Sequence, residues 1–321
     1  MKAYNYLLLS FLILMAMSCT TPYHSLKPLA NMEELEYPMP VKKVFLPQNG
    51  YHIAYMEAGT SGPVVIFIHG LGSYAPAWKR NLEELSKNNR CIAIDLPGYG
   101  KSDKFPHSGR MSFYAGIIKE LIAELNLGSV FLAGHSMGGQ IAITTALLYP
   151  EQVKGLILVA PAGFETFTPG QKQWFRDIMT PKGVKLTTAE AIQTNLVTNF
   201  YRMPAEAEFM ITDRLRMRNA ADFDAYCYAV AQSVSGMVDE PVAAYLNDLN
   251  IPVIIFFGEN DNLIPNRYLN PGATREVAEA GASRIRNSKL VMIPRCGHFL
   301  MFEKPEIFNR ETEEFLKKHG R

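Results

Sequence analysis

The run Gly134-His135-Ser136-Met137-Gly138-Gly139 places a serine between glycines, with apolar Val130-Phe131-Leu132-Ala133 before it and a helical stretch from Gln140 to Leu148 after it. Strand, tight turn and helix in that order make a nucleophile elbow, which holds one side chain out on the turn. Gly134 and Gly138 are needed for steric reasons, because so tight a turn crowds its flanking backbone and demands strained torsions. Ser136 is thereby presented at the positive N-terminus of the helix. A serine hydroxyl hardly ionises near neutral pH, so a nucleophilic serine requires a base and a group that orients the base. Both stand downstream. The apolar run from Ile251 to Phe257 leads into Gly258-Glu259-Asn260-Asp261, and Leu290-Val291-Met292-Ile293-Pro294 leads into Arg295-Cys296-Gly297-His298. Ser136, Asp261 and His298 each fall just past an apolar strand, in one of the chain orders that acyl-transfer triads take.

Each of these residues has a plainer reading. Asp261 could be a turn aspartate, with Glu259 as its competitor two residues earlier. His298 could be a core histidine bonded to backbone, although its loop position after a strand suits a base. His135 reads as a packing residue, because neighbours on a tight turn project in different directions. His24, His52, His107 and His319 have no comparable context, and Cys296 lacks an elbow. Acyl transfer also needs donors aimed at the oxyanion of the tetrahedral intermediate. The elbow supplies the N–H of Met137. The loop His69-Gly70-Leu71-Gly72, leaving the strand Pro63 to Ile68, supplies that of Leu71, with His69 and Gly70 holding the loop's shape. No zinc-ligand spacing, phosphate loop or dinucleotide fingerprint accompanies these residues, so neither metal nor cofactor is expected.

The elements that must position this chemistry alternate in type. Val41 to Leu46 and Tyr51 to Ala58 read as strands joined by the hairpin signal Gln48-Asn49-Gly50. A helix from Trp78 to Leu85, a strand Cys91 to Ile94, a helix Phe113 to Leu125 with Ser112 as N-cap, and a strand Leu156 to Val159 follow around the elbow. Strands alternating with helices argue for parallel βαβ units. About ninety residues then separate Pro161 from Ile251, far more than a plain crossover of roughly 10–15 residues requires. They read as a helical cap over residues 164–248, with one helix from Pro204 to Arg218 and another capped by Asp222 through Tyr226 to Val234. The cap is rich in aromatic residues and methionine. Most of these hold its helices in place, and some are expected to line an apolar acyl pocket above Ser136. Arg214, Arg216 and Arg218 read as a solvated face.

Taken together, His69-Gly70-Leu71-Gly72, Asp95-Leu96-Pro97-Gly98-Tyr99-Gly100-Lys101-Ser102, the Ser136 elbow, Gly258-Glu259-Asn260-Asp261 with Pro265, and Gly297-His298 resemble the serine hydrolases of the α/β-hydrolase fold family, from about Val41 to Lys318. The resemblance implies a mostly parallel eight-stranded sheet flanked by helices, with the triad at the strands' C-terminal ends and the helical cap inserted after the sixth strand. The catalytic domain is then residues 41–163 and 249–321. This fold hosts esterases, lipases, peptidases, carbon–carbon hydrolases and peroxidases. The expectation is a cofactor-free carboxylesterase or lipase-like enzyme acting on a small ester with an apolar acyl group. A carbon–carbon bond hydrolase is the alternative within the fold, since Ser136-Met137-Gly138-Gly139 also resembles those enzymes. A non-catalytic binding protein anchored in the envelope is the alternative from another class. Epoxide- and halide-processing members use an aspartate nucleophile, and proline aminopeptidases usually carry tryptophan where Met137 stands.

Composition limits the partners. The 321 residues are 48% hydrophobic with a net charge of +1, which gives no electrostatic reason to expect nucleic acid. At the N-terminus, Lys2 precedes an apolar run from Leu7 to Met17. Its length of about 16 Å as a helix falls short of a bilayer core of about 30 Å. This is a signal peptide's apolar region, and Ala16-Met17-Ser18-Cys19 resembles a bacterial lipobox, though without its usual leucine at the position of Ala16. Residues 1–18 are read as the signal and Cys19 as the site of lipidation. Residues 19–40 then form a tether to a membrane of the cell envelope, with plain secretion as the alternative. Cys91, Cys227 and Cys296 stand in unrelated contexts and suggest no disulfide framework.

Overall fold

The computed structural model describes residue 23 and residues 25–320. The apolar run before Cys19, and Cys19 itself, lie outside the described residues. Among the described residues no helix is long and apolar enough to cross a membrane.

The strands are β1 (Val41–Leu46), β2 (Tyr51–Ala58), β3 (Val64–Ile68), β4 (Arg90–Ile94), β5 (Val130–His135), β6 (Val153–Val159), β7 (Val253–Gly258) and β8 (Ser288–Ile293). They form a single eight-stranded sheet in the order β1-β2-β4-β3-β5-β6-β7-β8. The pairs β1·β2 and β2·β4 are antiparallel, and every other pair is parallel. A parallel sheet covered on both faces buries both sides of its strands, which is why β5 and β7 read as unbroken apolar runs. The core's largest fully buried side chains include Trp78, Phe131, Phe256 and Phe308.

Around the sheet lie α1 (Lys79–Leu85), α2 (Met111–Glu124) and α3 (Met137–Leu148). Between β6 and β7 come α4 (Pro169–Ile178), α5 (Pro181–Lys185), α6 (Ala189–Thr198), α7 (Glu208–Arg216) and α8 (Phe223–Asp239). The chain ends with α9 (Thr274–Ala282), α10 (Leu300–Glu303) and α11 (Pro305–His319). The expected helix from Pro204 to Arg218 is broken into a 3-10 turn (Ala205–Ala207), α7, and a second 3-10 turn (Met217–Asn219). Ser112 is no N-cap. Helix α2 begins one residue before it, and Ser112 gives its N–H and hydroxyl to Glu240 at 2.8 and 2.7 Å. Asp222 does precede α8, but its carboxylate accepts the N–H of Met32 instead of capping the helix.

That last bond belongs to a difference from the tether reading. The segment before β1 is docked on the molecule from Leu29 onward. Leu29, Met32 and Leu35 are buried, the Leu29 N–H donates to the Arg216 carbonyl, and the Ala221 N–H donates to that of Ala30. Tyr37 closes the segment by donating its hydroxyl to Asp95, buried at the end of β4. Prolines at 28, 38 and 40 masked this, because three apolar positions spaced by three among prolines and acidic residues are too few to establish a helix period. Met32→Ala is therefore expected to cost about 2 kcal/mol in urea unfolding, toward the lower end for a buried methionine because a chain end relaxes. A segment hanging free as a tether would leave the midpoint where it was.

Candidate active site

The elbow forms where strand β5 meets helix α3. Ser136 sits between them with φ 53° and ψ −117°, a left-handed conformation that a serine adopts only under constraint. A Cβ at Gly134 would stand 2.2 Å from the Gly138 carbonyl oxygen, and one at Gly138 would stand 2.3 Å from that of Ile68. Both glycines are required by backbone approach. The elbow is also pinned by hydrogen bonds: the Ser136 N–H donates to Val159, and the Ser136 carbonyl accepts from Gly139, Gln140 and Ala162.

The loop leaving β3 lies against this turn. A Cβ at Gly70 would meet His135 Nδ1 at 2.9 Å and Ser136 Cβ at 3.2 Å. His69 bridges two strand exits, with Nδ1 donating to the Gly70 carbonyl at 2.8 Å and Nε2 accepting the Leu96 N–H at 3.1 Å. Burial holds its pKa down at about 4, so the ring stays neutral and keeps that tautomer. Neither the Leu71 N–H nor the Met137 N–H is taken by a backbone carbonyl among the described residues. Met137, as the first residue of α3, has no intrahelical acceptor for its N–H.

Asp261 and His298 meet from the ends of β7 and β8. His298 Nδ1 stands 2.7 Å from Asp261 Oδ2, and both side chains are almost fully buried. The other carboxylate oxygen accepts the N–H groups of Leu263 and Ile264, at 2.8 and 3.1 Å. With its acceptors filled in this way, Asp261 fixes the ring of His298 so that Nε2 is left for other work. The His298 N–H donates to the carbonyl of Asn199 at 2.7 Å, a residue contributed by the segment between β6 and β7. Glu259 turns outward into an ion pair with Arg275 on α9. His135 packs against His298 and Phe299 at 4.7 and 4.6 Å between ring centroids and donates Nε2–H to the His298 carbonyl. Burial pushes its pKa well below the ordinary histidine value, with the nearby His298 adding to the effect. Cys296 is buried and its thiol is pushed well up by burial.

Ser136, His298, Leu71 and Gly70 line one cavity of about 650 Å³, beneath side chains from α4, α6, α7 and α8. Of the aromatic and methionine side chains singled out in the sequence, Phe167, Phe175, Met179, Met210, Phe223 and Met237 are among those lining it, whereas Trp174 is 40% exposed and does not. The arginine run is not a solvated face. Arg214 turns inward over the Tyr226 ring, 4.9 Å from its centroid, and donates to the Gly72 carbonyl. Arg216 reaches Asp213 and the Lys27 carbonyl. Positions i and i+2 on a helix point about 200° apart, so Arg214 and Arg216 cannot share one solvated face. Among the described residues no group of His, Cys, Asp and Glu side chains is placed to hold a metal ion.

Asp261→Asn is expected to leave the protein folded and to lower kcat by roughly 10³- to 10⁴-fold, since the amide favours the wrong imidazole tautomer. Glu259→Gln should leave kcat within about twofold of the parent. The reverse ranking would reassign the acid.

A family model described as the alpha/beta hydrolase fold matches residues 63–305. The 2-hydroxy-6-oxononadienedioate/2-hydroxy-6-oxononatrienedioate hydrolase 1 of Pseudomonas putida is 28% identical over 281 residues, which cover 83% of this chain and 92% of that protein. A second relative is the dihydrolipoyllysine-residue acetyltransferase component of the acetoin cleaving system of Pseudomonas putida, 27% identical over 267 residues. The match takes in 81% of this chain but only 65% of that relative's length. Among solved structures, a thermophilic esterase from Thermogutta terrifontis aligns with a TM-score of 0.70 at 26% identity, covering 88% of this chain and 100% of that one.

Proposed function

The chain belongs to the alpha/beta hydrolase fold family, and we propose that this member cleaves carboxylic esters of apolar acyl groups through a serine acyl-enzyme. The observation that carries the reading is the balance of charge and apolar surface in the cavity. Its wall is mostly aliphatic, aromatic and methionine side chains. Among the described residues, Arg214 is its one Lys or Arg side chain, while Glu165 and Asp213 are carboxylates. Burial pushes the pKa of both acids up, against the hydrogen bonds that pull it down. A doubly negative substrate, such as the dioate in the Pseudomonas putida relative's name, would bring two more carboxylates to a wall with a single, already engaged cation. Desolvating them there is costly. A neutral ester meets no such penalty, and the cavity volume falls in the range typical of small-molecule sites.

In the proposed reaction Ser136 Oγ attacks the ester carbonyl while His298 Nε2 takes its proton, with Asp261 steadying the imidazolium. The N–H groups of Leu71 and Met137 hold the tetrahedral oxyanion. Collapse breaks the bond to the alcohol, which leaves with the proton from His298. Water then repeats the sequence on the acyl-enzyme, releasing the acid and restoring Ser136.

Each CH₂ entering an apolar wall is worth about 0.8 kcal/mol, so kcat/KM should climb several-fold per two carbons along p-nitrophenyl esters from acetate, then fall once the pocket is full. Ser136→Ala should abolish that activity to within the background rate. A flat profile would remove the acyl-pocket argument. No turnover of any ester, with cleavage of a vinylogous diketone instead, would shift the assignment to carbon–carbon hydrolysis.

A further inference from the structure

The loop that carries Leu71 is held from two sides. Beneath it, His69 Nδ1 donates to the Gly70 carbonyl, and the Ser73 N–H donates to the same oxygen at 3.1 Å. Above it, the Gly72 carbonyl accepts from the Arg214 guanidinium and, at 3.2 Å, from the Tyr226 hydroxyl. Arg214 comes from α7 and Tyr226 from α8, both inserted between β6 and β7. Two residues further along, the Tyr74 hydroxyl donates to Asp213, which precedes Arg214 on α7. Gly72 itself has φ +67°, and a Cβ there would stand 2.8 Å from the guanidinium and 3.1 Å from the Tyr226 oxygen. The clamp needs glycine at this position.

These bonds form a series, because a trans peptide is planar and its C=O and N–H point in opposite directions. The Gly72 carbonyl and the Ser73 N–H belong to one peptide, so a donor that fixes the first also aims the second at the Gly70 oxygen. The Gly70 carbonyl and the Leu71 N–H belong to another peptide, so fixing that oxygen aims the Leu71 N–H the opposite way. Hydrogen bonds in a chain also polarise one another, and a guanidinium at its head strengthens every donor that follows.

We propose that Arg214 and Tyr226 are positioning residues for the oxyanion site: they orient and polarise the Leu71 N–H through two peptide planes, so that the inserted helices complete the catalytic geometry rather than only covering it. The inference rests on the acyl-transfer reading, in which Leu71 is an oxyanion donor. It also accounts for the inward turn of Arg214 without any charged group on the substrate.

An alkyl trifluoromethyl ketone separates the possibilities, because it becomes a hemiketal oxyanion on the serine, whereas the chain-matched primary alcohol occupies the same wall without one. In Arg214→Met and Tyr226→Phe the ketone's inhibition constant should rise about tenfold while that of the alcohol stays within twofold. Arg214→Lys, which keeps a charged donor, should recover part of the loss. If both constants rise together, the residues are only wall, and if neither moves there is no clamp; either result overturns the proposal. The parent protein gives the separate check. Failure of the ketone to inhibit it would overturn the acyl-transfer reading, and the clamp would fall with that reading.

Discussion

A Cβ at Gly138 would stand 2.3 Å from the Ile68 carbonyl oxygen, one at Gly134 would stand 2.2 Å from that of Gly138, and one at Gly70 would crowd Ser136 itself. The exit of β3 and the turn after β5 are therefore in backbone contact, with no side chain between them. Adjacent parallel strands deliver both turns to the same edge of the sheet, in a register that pairs Ile68 with Gly134. This crowding goes with the positive φ of Ser136 and brings the loop of Leu71 against the turn of Ser136 and Met137. Larger residues at the glycines would separate the two turns.

Asp261 and His298 reach the same edge from β7 and β8, and their setting shows how a buried carboxyl group and imidazole are accommodated. Among the described residues Asp261 makes no ion pair with a lysine or arginine. Its oxygens are occupied by two backbone N–H groups and by His298, and charge-assisted bonds of this kind are what allow a carboxylate to remain buried. His298 in turn is held by the Asn199 carbonyl through its N–H and by His135 through its own carbonyl. The segment inserted between β6 and β7 thus touches the candidate site at two points. Asn199 holds the loop of His298, and Arg214 with Tyr226 hold the loop of Gly72.

The sheet was legible because parallel strands buried on both faces leave continuous apolar runs, and β1 and β2 matched the residue pattern at both ends. The placement of Ser136, Asp261 and His298 at one edge of the sheet was legible because each sits at a strand exit marked by glycine or by a polar residue after such a run. What stayed hidden depends on contacts between segments far apart in sequence. Arg214 looked like surface because its neighbours in sequence are charged, and only the packing of α7 on the loop from Gly70 to Tyr74 gives it an inward direction. The docked segment from Leu29 to Tyr37 holds itself by single apolar residues and by bonds to Asp222 and Asp95, partners more than fifty residues away. Ser112 matched the composition of a cap, yet Glu240 offered a stronger acceptor across the fold. Local preference yields to a charge-assisted bond of this kind.

In the proposed reaction Ser136 is the nucleophile, and the Leu71 and Met137 N–H groups face the oxygen it creates. A crystal structure of the protein inactivated by an alkyl fluorophosphonate tests it directly, since the adduct's phosphoryl oxygen stands where the oxyanion would. The expected result is phosphorus on Ser136 Oγ, the phosphoryl oxygen about 2.7–3.1 Å from both nitrogens, and the alkyl chain along the apolar wall. Phosphorus on another residue, or a phosphoryl oxygen turned away from Leu71 and Met137 toward solvent, would contradict it.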